Sequence, residues 1–234
     1  MQEVGSLTAG RIGRPRSFDR ESALKVAMHL FWNHGYEATS IAELTQAMGI
    51  TPPSLYAAFG DKRQLFLETV DRYMGGIDAV TKGVLDAATA QDAARELLTS
   101  AALGHTGEDT PPGCLVASSI ISSSVSAADI REELAGIRRR MEAALRVRIE
   151  RDVLEGILPA SADADMLAGH VFAVVQGMST LAKDGADRAK LLRIVDCAMN
   201  GWPSPVGPRI DGADEGTATE RTKYAYDDTR RPSR

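Results

Sequence analysis

Aromatic residues are scarce in this chain of 234 residues, since tryptophan, tyrosine and phenylalanine together make up only 5%. Alanine, leucine, methionine, glutamate and arginine are plentiful instead, and these residues are good helix formers. Hydrophobic residues at 44% and charged residues at 25% are close to globular averages, which excludes a wholly disordered chain. No segment alternates as a strand does, so the sequence predicts an all-α protein.

Cysteine is almost absent: Cys114 and Cys197 have neither the number nor the spacing of a disulfide framework or a CxxC motif. Both are expected to be small, buried hydrophobic side chains. Long apolar runs are missing as well. The uncharged stretch 166–182 contains polar side chains and is expected to form a deeply buried helix rather than a membrane span. With no secretory signal at its N-terminus, the chain is expected to be cytoplasmic and to have no membrane partner.

The sequence motifs of common enzymes are also missing: there is no P-loop, no GxGxxG after a strand, no HExxH and no GxSxG. His29 and His34 lie five residues apart and do not share a helix face. His105, near two acidic residues, is expected to be a solvated loop residue. We therefore expect no enzymatic activity, no cofactor and no metal site.

Strong helix start and stop signals occupy residues 18–66. Four residues are placed to cap helix N-termini, namely Asp19, Ser40, Thr51 and Asp61. Ser40 and Glu43 have the spacing of a capping box. Glycines are expected to end the first three helices, at Gly35, Gly49 and Gly60. Short helices joined by a tight turn predict a helix-turn-helix, the geometry that lays one helix in the DNA major groove.

Charge is unevenly distributed along the chain. Seven basic and five acidic residues fall between residues 11 and 63, although the whole chain has a net charge of −5. A basic segment at one end of an acidic protein favours DNA binding there, because neutralising phosphates drives affinity. The alternative is a small helical bundle with ordinary surface charges.

Beyond residue 75 the chain is predicted to be helical with weaker boundaries. The expected helices lie near 76–89, 91–104, 113–125, 128–155, 163–184 and 187–200. From residue 201 onward proline, glycine, threonine, aspartate and arginine dominate, and branched apolar residues are few. Such a composition predicts a disordered tail.

The stretch GYEATSIAELTQAMGITPPSLYAAFGDKRQLF, from Gly35 to Phe66, resembles the DNA-binding domain of TetR/AcrR-family transcriptional regulators. The shared elements are Gly35-Tyr36, Thr39-Ser40, Ile41-Ala42, Gly49, Leu55-Tyr56, Phe59, Lys62 and Leu65. The resemblance implies an all-α homodimer with an N-terminal three-helix helix-turn-helix domain and a C-terminal helical domain for ligand binding and dimerisation. The expected division is a flexible basic arm at 1–17, a DNA-binding domain at 18–65, an effector-binding and dimerisation domain at 66–201 and a disordered tail at 202–234.

The same resemblance implies a set of DNA contacts. Four residues would contact phosphates, namely Thr39, Ser40, Tyr56 and Lys62. The recognition helix would approach the bases through Thr51, Pro52, Pro53, Ser54 and Ala57. Many relatives carry lysine or arginine early in this helix and histidine just before the Phe59 position, where this chain has Pro52 and Ala58. Because such a surface has few bidentate donors, thymine methyl contacts and groove shape are expected to carry more of the specificity.

The basic arm contains Gly13-Arg14-Pro15-Arg16, which resembles the AT-hook of minor-groove binding proteins. Narrow A-tract minor grooves attract inserted arginines through their negative potential. Arg14 and Arg16 are therefore expected to contact DNA, as the arms of homeodomains do. A solvated basic tail is the alternative.

The C-terminal half has no comparably specific motif, and its sites are predicted from residue type and helical position. The expected effector pocket includes Ser119, Ser123, Met141, His170, Phe172 and Gln176. The expected dimer face consists of Val174, Gly177, Met178 and Leu181, because an exposed face this apolar usually marks an interface. Ordinary packing within one subunit explains each apolar residue equally well.

Together these features predict a dimeric transcriptional repressor. Its partners would be a pseudo-palindromic double-stranded DNA operator and a small organic effector that releases the protein from that operator. Two alternatives stay open: a small helical enzyme or ligand carrier whose helix-turn-helix no longer binds DNA, and an effector-independent DNA-binding activator. The enzyme alternative requires an acid–base or metal constellation, and none is visible in the sequence.

Overall fold

A computed structural model describes residues 18–118 and 128–203 of the chain. Within these ranges there are ten α-helices and no β-strand, which confirms the all-α prediction. The helices are α1 (Arg20–Ala38), α2 (Ile41–Met48), α3 (Pro52–Phe59), α4 (Lys62–Met74), α5 (Ile77–Asp86), α6 (Ala90–His105), α7 (Leu115–Ser118), α8 (Ala128–Leu154), α9 (Ala164–Lys183) and α10 (Arg188–Asn200). The predicted arm at 1–17, Ser119, Ser123 and residues 204–234 lie outside the described residues.

The first four helices begin at their predicted capping residues. Side-chain oxygens accept hydrogen bonds from backbone N–H groups of the first turn at Asp19, Ser40, Thr51 and Asp61. Ser40 and Glu43 form the complete capping box. Gly49 ends α2 in the left-handed conformation (φ 67°), which a residue without a Cβ adopts at little cost. The short turn that follows sets α2 and α3 in the helix-turn-helix arrangement.

The end of α1 differs from the prediction. Gly35 has a non-helical backbone (φ 82°), as expected for a stop, but helical structure resumes after it and continues to Ala38. The hydroxyl of Thr39 donates to the carbonyl oxygen of Gly35 at 2.8 Å. The kink at Gly35 therefore turns the last residues of α1 toward α2, and the buried Thr39 side chain holds that turn in place.

An aromatic core joins the helix-turn-helix to α4. The rings of Phe31 and Phe66 meet edge to face with centroids 5.1 Å apart, and the Tyr36 ring lies 5.0 Å from Phe66. Trp32 packs edge to face on Tyr73 at 4.7 Å. The same core continues onto α7 and α8 through Leu115, Val116, Ile130, Leu134 and Ile137. Helix α4 spans the predicted domain boundary at residue 65, so it belongs physically to both halves of the protein.

A second core lies among α6, α8, α9 and α10. Its fully buried side chains include Leu98, Leu145, Ile149, Val171, Met178 and Leu191. The predicted helices in this half agree with the observed ones, except that α5 ends at Asp86 rather than at residue 89. The predicted helix 113–125 is described only at its start, where α7 lies.

An ion pair inside this second half explains the early end of α5. Arg148 and Asp152 lie one turn apart on α8, 2.5 Å from each other and almost completely buried. The Arg148 guanidinium donates to the carbonyl oxygens of Ala87 and Ala88 at 2.9 and 2.6 Å. The Asp152 carboxylate accepts from the N–H of Ala90 at 2.7 Å. These bonds fix the turn between α5 and α6 against α8.

Candidate nucleic-acid interface

Helix α3 buries one face and exposes the other. Leu55 and Phe59 are buried in the aromatic core. The outward face consists of Pro52, Pro53, Tyr56 and Ala57, all of them exposed. The Tyr56 side chain is 49% exposed, which is unusual for a large aromatic residue on a folded protein. The predicted recognition helix therefore has a free, mostly uncharged surface of small and cyclic side chains.

Two hydroxyls at the start of α3 are partly engaged by the helix itself. The Thr51 side chain accepts from the Ser54 N–H at 3.4 Å, and the two hydroxyl oxygens lie 2.9 Å apart. Ser54 is only half-exposed. One further hydrogen bond is open to the Thr51 hydroxyl and two to the Ser54 hydroxyl, because a hydroxyl combines one donor with two acceptor lone pairs.

At the start of α2, the structure does not support the expected phosphate contact of Thr39. Ser40 is exposed, and its hydroxyl accepts from the Glu43 N–H at 3.1 Å. Thr39, in contrast, is fully buried, and its hydroxyl donates a hydrogen bond to the carbonyl oxygen of Gly35. The Thr39 side chain is thus a structural part of the α1–α2 turn, because its hydroxyl points into the protein. The adjacent Glu43 carboxylate lies 2.8 Å from Nδ1 of His34, which ties α2 to α1.

Lys62, the first residue of α4, is held close to the end of α1. Its ammonium group donates to the carbonyl oxygen of Glu37 at 3.3 Å and lies 4.5 Å from the centre of the Tyr36 ring. Partial burial lowers the pKa of Lys62, and the nearby Glu37 carboxylate opposes that effect. The positive charge is therefore fixed next to the start of α2 rather than extended freely into solvent.

The structure adds Arg20, which the sequence pattern presented only as part of a basic segment. Its guanidinium donates to both carboxylate oxygens of Glu68, at 2.5 and 2.7 Å, and to the carbonyl oxygen of Ala58 at 3.2 Å. It also stacks over the Phe59 ring at 4.5 Å. Arg20 thus fastens the C-terminal end of α3 to α1 and α4. Ala58 and Glu68 lie 38 and 48 positions after Arg20 in the chain. No local sequence pattern therefore indicates these contacts.

An inner cavity of about 200 Å³ lies between α4, α6, α8 and α9. Two predicted effector-pocket residues, Met141 and Phe172, line it, together with Tyr73, His105 and Cys114. The prediction for His105 was wrong: it is the last residue of α6 and is 2% exposed. Cys114 is buried as expected, whereas Cys197 is exposed on α10.

Two other predicted pocket residues lie elsewhere. His170 is exposed on the surface of α9, because the helix turns that position away from the core. Gln176 lines a shallow groove between α8 and α9, on the outer side of Phe172. The predicted residues His170 and Gln176 therefore do not meet Met141 and Phe172 in the inner cavity, whose buried histidine comes from α6 instead of α9.

Helix α9 is half-exposed rather than deeply buried. Its outward residues follow a spacing of four and three residues along one stripe, at Met166, His170, Ala173, Gly177 and Thr180. Met178, expected on the dimer face, is 1% exposed and belongs to the second core of its own subunit. Val174 and Leu181 are partly buried against that core and flank the stripe.

The two halves of the protein are joined by ion pairs at the surface. Arg63, near the start of α4, donates to the Asp129 and Glu133 carboxylates of α8 at 3.2 and 2.9 Å. The other end of α4 carries Tyr73 and Met74, which line the inner cavity. Helix α4 thus runs from the cavity wall to the neighbourhood of α2 and α3.

Among the residues that the structure describes, no group of three or more histidine, cysteine, aspartate or glutamate side chains is placed to hold a metal ion. No helix in those ranges is long and apolar enough to span a membrane. An exposed recognition helix on a capped helix-turn-helix, backed by a separate helical core, defines a helix-turn-helix DNA-binding protein.

Comparisons with known proteins give the family. A sequence model of bacterial regulatory proteins of the tetR family matches residues 23–69, and a model of the tetracyclin repressor-like C-terminal domain matches residues 92–196. The HTH-type transcriptional repressor ComR of Escherichia coli (strain K12) is 35% identical over 196 residues, which cover 83% of this chain and 93% of ComR. The chain belongs to the TetR family and is a DNA-binding transcriptional regulator.

Solved structures agree with this assignment. A cysteine mutant of the TetR family regulator CifR, complexed with 26-bp double-strand operator DNA, is 40% identical with a TM-score of 0.74. That match covers 82% of this chain and all of the CifR chain. A TetR regulator from Rhodococcus sp. RHA1 is 39% identical with a TM-score of 0.57, over 79% of this chain and 99% of that chain.

Proposed function

We propose that this protein is a cytoplasmic, homodimeric transcriptional repressor that a small organic effector releases from a pseudo-palindromic operator. The observation that carries the proposal is the exposed face of α3, held by buried Leu55 and Phe59 and clamped by Arg20. Two such helices related by a dimer axis would enter successive major grooves. The protein acts by binding, so it needs neither a catalytic group nor a metal.

The contacts divide into two kinds. Pro52, Pro53 and Ala57 face the bases, where small apolar groups pack against thymine methyls. Phosphates are bound by Ser40, Tyr56 and Lys62 around the recognition helix, whereas Thr51 and Ser54 at its N-terminus approach the bases through their hydroxyls. In the arm, Arg14 and Arg16 lie in an adjoining minor groove.

Tyr56 and Lys62 are expected to position the protein rather than to select bases. Tyr56→Phe and Lys62→Ala should each weaken binding to the operator and to a mutated operator by the same factor, because phosphate contacts carry no direct sequence information. Binding is measured by fluorescence anisotropy on both DNAs. A variant that changes the preference at one base pair would contradict this assignment.

The dimer is proposed to form through the exposed stripe of α9, with Val174 and Leu181 at its edges and α10 beside it. Small residues in the middle of the stripe, Ala173 and Gly177, allow two helices to approach closely. A Cβ added at Gly177 would meet nothing within 4 Å in its own subunit, so a larger side chain there does not disturb the fold of one subunit.

Gly177→Arg is therefore expected to give folded monomers that bind the operator poorly. Light scattering gives the mass, and circular dichroism checks the helix content. Gly83→Arg is the matched control, since Gly83 is also an exposed helical glycine with open space around it, but on α5. A Gly177→Arg protein that remains dimeric would exclude this face.

Release by the effector is proposed to act through α4. A molecule in the inner cavity contacts Tyr73 and Met74 at one end of this helix, while Lys62 and Arg63 at the other end contact α1 and α8. An effector shifts the equilibrium only by its differential affinity for the two conformers, typically about 1–3 kcal/mol. DNA must weaken effector binding by the same factor.

A reporter fused to the neighbouring promoter tests repression directly. Expression should rise when the gene for this protein is deleted and fall when it is restored. A reporter that loses expression on deletion would show an activator instead.

A further inference from the structure

The inner cavity is lined mostly by apolar side chains and is partly open. Its wall is formed by Met74, Val80, Leu97, Ala101, Met141, Phe172 and Val175. A volume of about 200 Å³ is slightly larger than the apolar cavity of about 150 Å³ that is known to bind benzene in an engineered protein. The space therefore suits a compact organic molecule of about eight heavy atoms.

His105 is one of the residues that line this wall, and one of its side-chain nitrogens has no hydrogen-bond partner in the part of the chain that the structure describes. The residue is 2% exposed, and its Nδ1 is buried without a hydrogen-bond partner among the described residues. Burial lowers the pKa of His105 to about 4, so the imidazole is neutral at pH 7. Its backbone is fixed, because the His105 carbonyl oxygen accepts from the Gly113 N–H at 2.9 Å. A buried polar atom left unpaired costs free energy that a hydrogen-bonding ligand would recover.

Neighbouring polar groups in the cavity wall are already engaged. The Tyr73 hydroxyl and the Cys114 thiol are hydrogen-bonded to each other, and burial raises the pKa of Tyr73 above its usual value. The Ser100 hydroxyl donates to Glu96 at 2.9 Å. These groups already have partners, whereas Nδ1 of His105 has none among the described residues, so a ligand hydroxyl gains most by binding there.

We propose that the cavity binds an uncharged, mainly apolar alcohol or phenol whose hydroxyl hydrogen-bonds to Nδ1 of His105. A hydroxyl both donates and accepts, so it satisfies this nitrogen in either imidazole tautomer. A carboxylate is rejected, because a buried charge without a counter-charge is strongly unfavourable. An alcohol or phenol bound here would be the effector of the proposed function. Its release of the protein from DNA rests on that proposed function.

The ligand reaches the cavity from a groove of about 720 Å³ between α5 and α6. The groove and the cavity share four lining residues, Met74, Val80, Leu97 and Ser100. The outer rim carries Asp92, Arg95 and Glu96, so the route runs from a polar surface to an apolar interior.

Two ligands of almost identical shape test the proposal by calorimetric titration of the full-length protein without DNA. In p-cresol a hydroxyl replaces one methyl group of p-xylene. The wild-type protein should bind p-cresol about five- to tenfold more tightly, the value of one net hydrogen bond. In His105→Phe, which keeps an aromatic ring without the nitrogen, the two affinities should become equal. The wild-type comparison stands even if that variant does not fold.

Two further measurements locate the site and its charge preference. Ala101→Phe, which fills the cavity, should abolish binding of both ligands, and p-toluate should bind at least tenfold more weakly than p-cresol. No binding of p-cresol, equal wild-type affinities for the pair, retained binding in Ala101→Phe, or tighter binding of p-toluate would each overturn the proposal. Operator binding, measured in parallel without ligand, shows separately whether the regulatory function holds.

Discussion

Replacing Ala57 by glutamate is expected to abolish specific operator binding, with a loss of affinity of roughly 100-fold or more. Ala57 is exposed in the middle of α3, so a longer side chain there extends outward instead of into the core. Glutamate would bring a carboxylate against the phosphates and bases of the groove, and such like-charge contacts cost several kcal/mol. Fluorescence anisotropy with operator DNA measures the loss.

The same substitution elsewhere provides the control. Ala143 is an exposed alanine on α8, far along the chain from the helix-turn-helix. Ala143→Glu adds the same charge to the protein and should retain operator binding within about twofold, since only long-range repulsion changes. Both variants should melt at the wild-type temperature. Similar losses in the two variants would mean that overall charge, and not α3, governs binding.

Asp152→Ala is expected to destabilise the fold by about 3–5 kcal/mol, because it leaves the buried Arg148 guanidinium without its counter-charge. It also leaves the N–H of Ala90 without an acceptor at the start of α6. Urea denaturation followed by circular dichroism measures the free energy of unfolding. Asp152→Asn keeps an acceptor oxygen and should be less damaging than Asp152→Ala.

A neighbouring pair on the same helix isolates the role of burial. Arg146 and Glu150 have the same four-residue spacing and a 2.5 Å separation, but their side chains are 41% and 45% exposed. Glu150→Ala should therefore cost less than about 1 kcal/mol, because solvent screens the pair. Equal effects at positions 150 and 152 would show that the buried pair does not hold the α5–α6 turn.

Features encoded within a few residues could be predicted from the sequence. Asp19, Ser40, Thr51 and Asp61 cap helices because a side-chain oxygen reaches N–H groups two or three residues ahead, which the local sequence specifies. The left-handed turn at Gly49 is equally local. The capped helices and the family-like residue pattern together sufficed for the fold class and for the function.

Features that depend on contacts between distant segments could not be predicted. Thr39 is buried because the kink at Gly35 folds its side chain inward, and His105 is buried because α6 packs between α8 and α9. The predicted face of α9 is offset by one position from the stripe that the structure exposes. Helical spacing gives the angle between two side chains around the helix axis. The positions of the neighbouring helices determine which of those side chains face the core.

The central claim is that α3 binds DNA as one half of a symmetric pair. A footprint of the full-length protein on the DNA upstream of its own gene tests this claim most directly. We predict a protected pseudo-palindrome with two half-sites centred about one helical turn, or a multiple of it, apart. The Ala57→Glu variant should leave the same DNA unprotected. A single unsymmetrical protected segment, or equal protection by Ala57→Glu, would contradict the account.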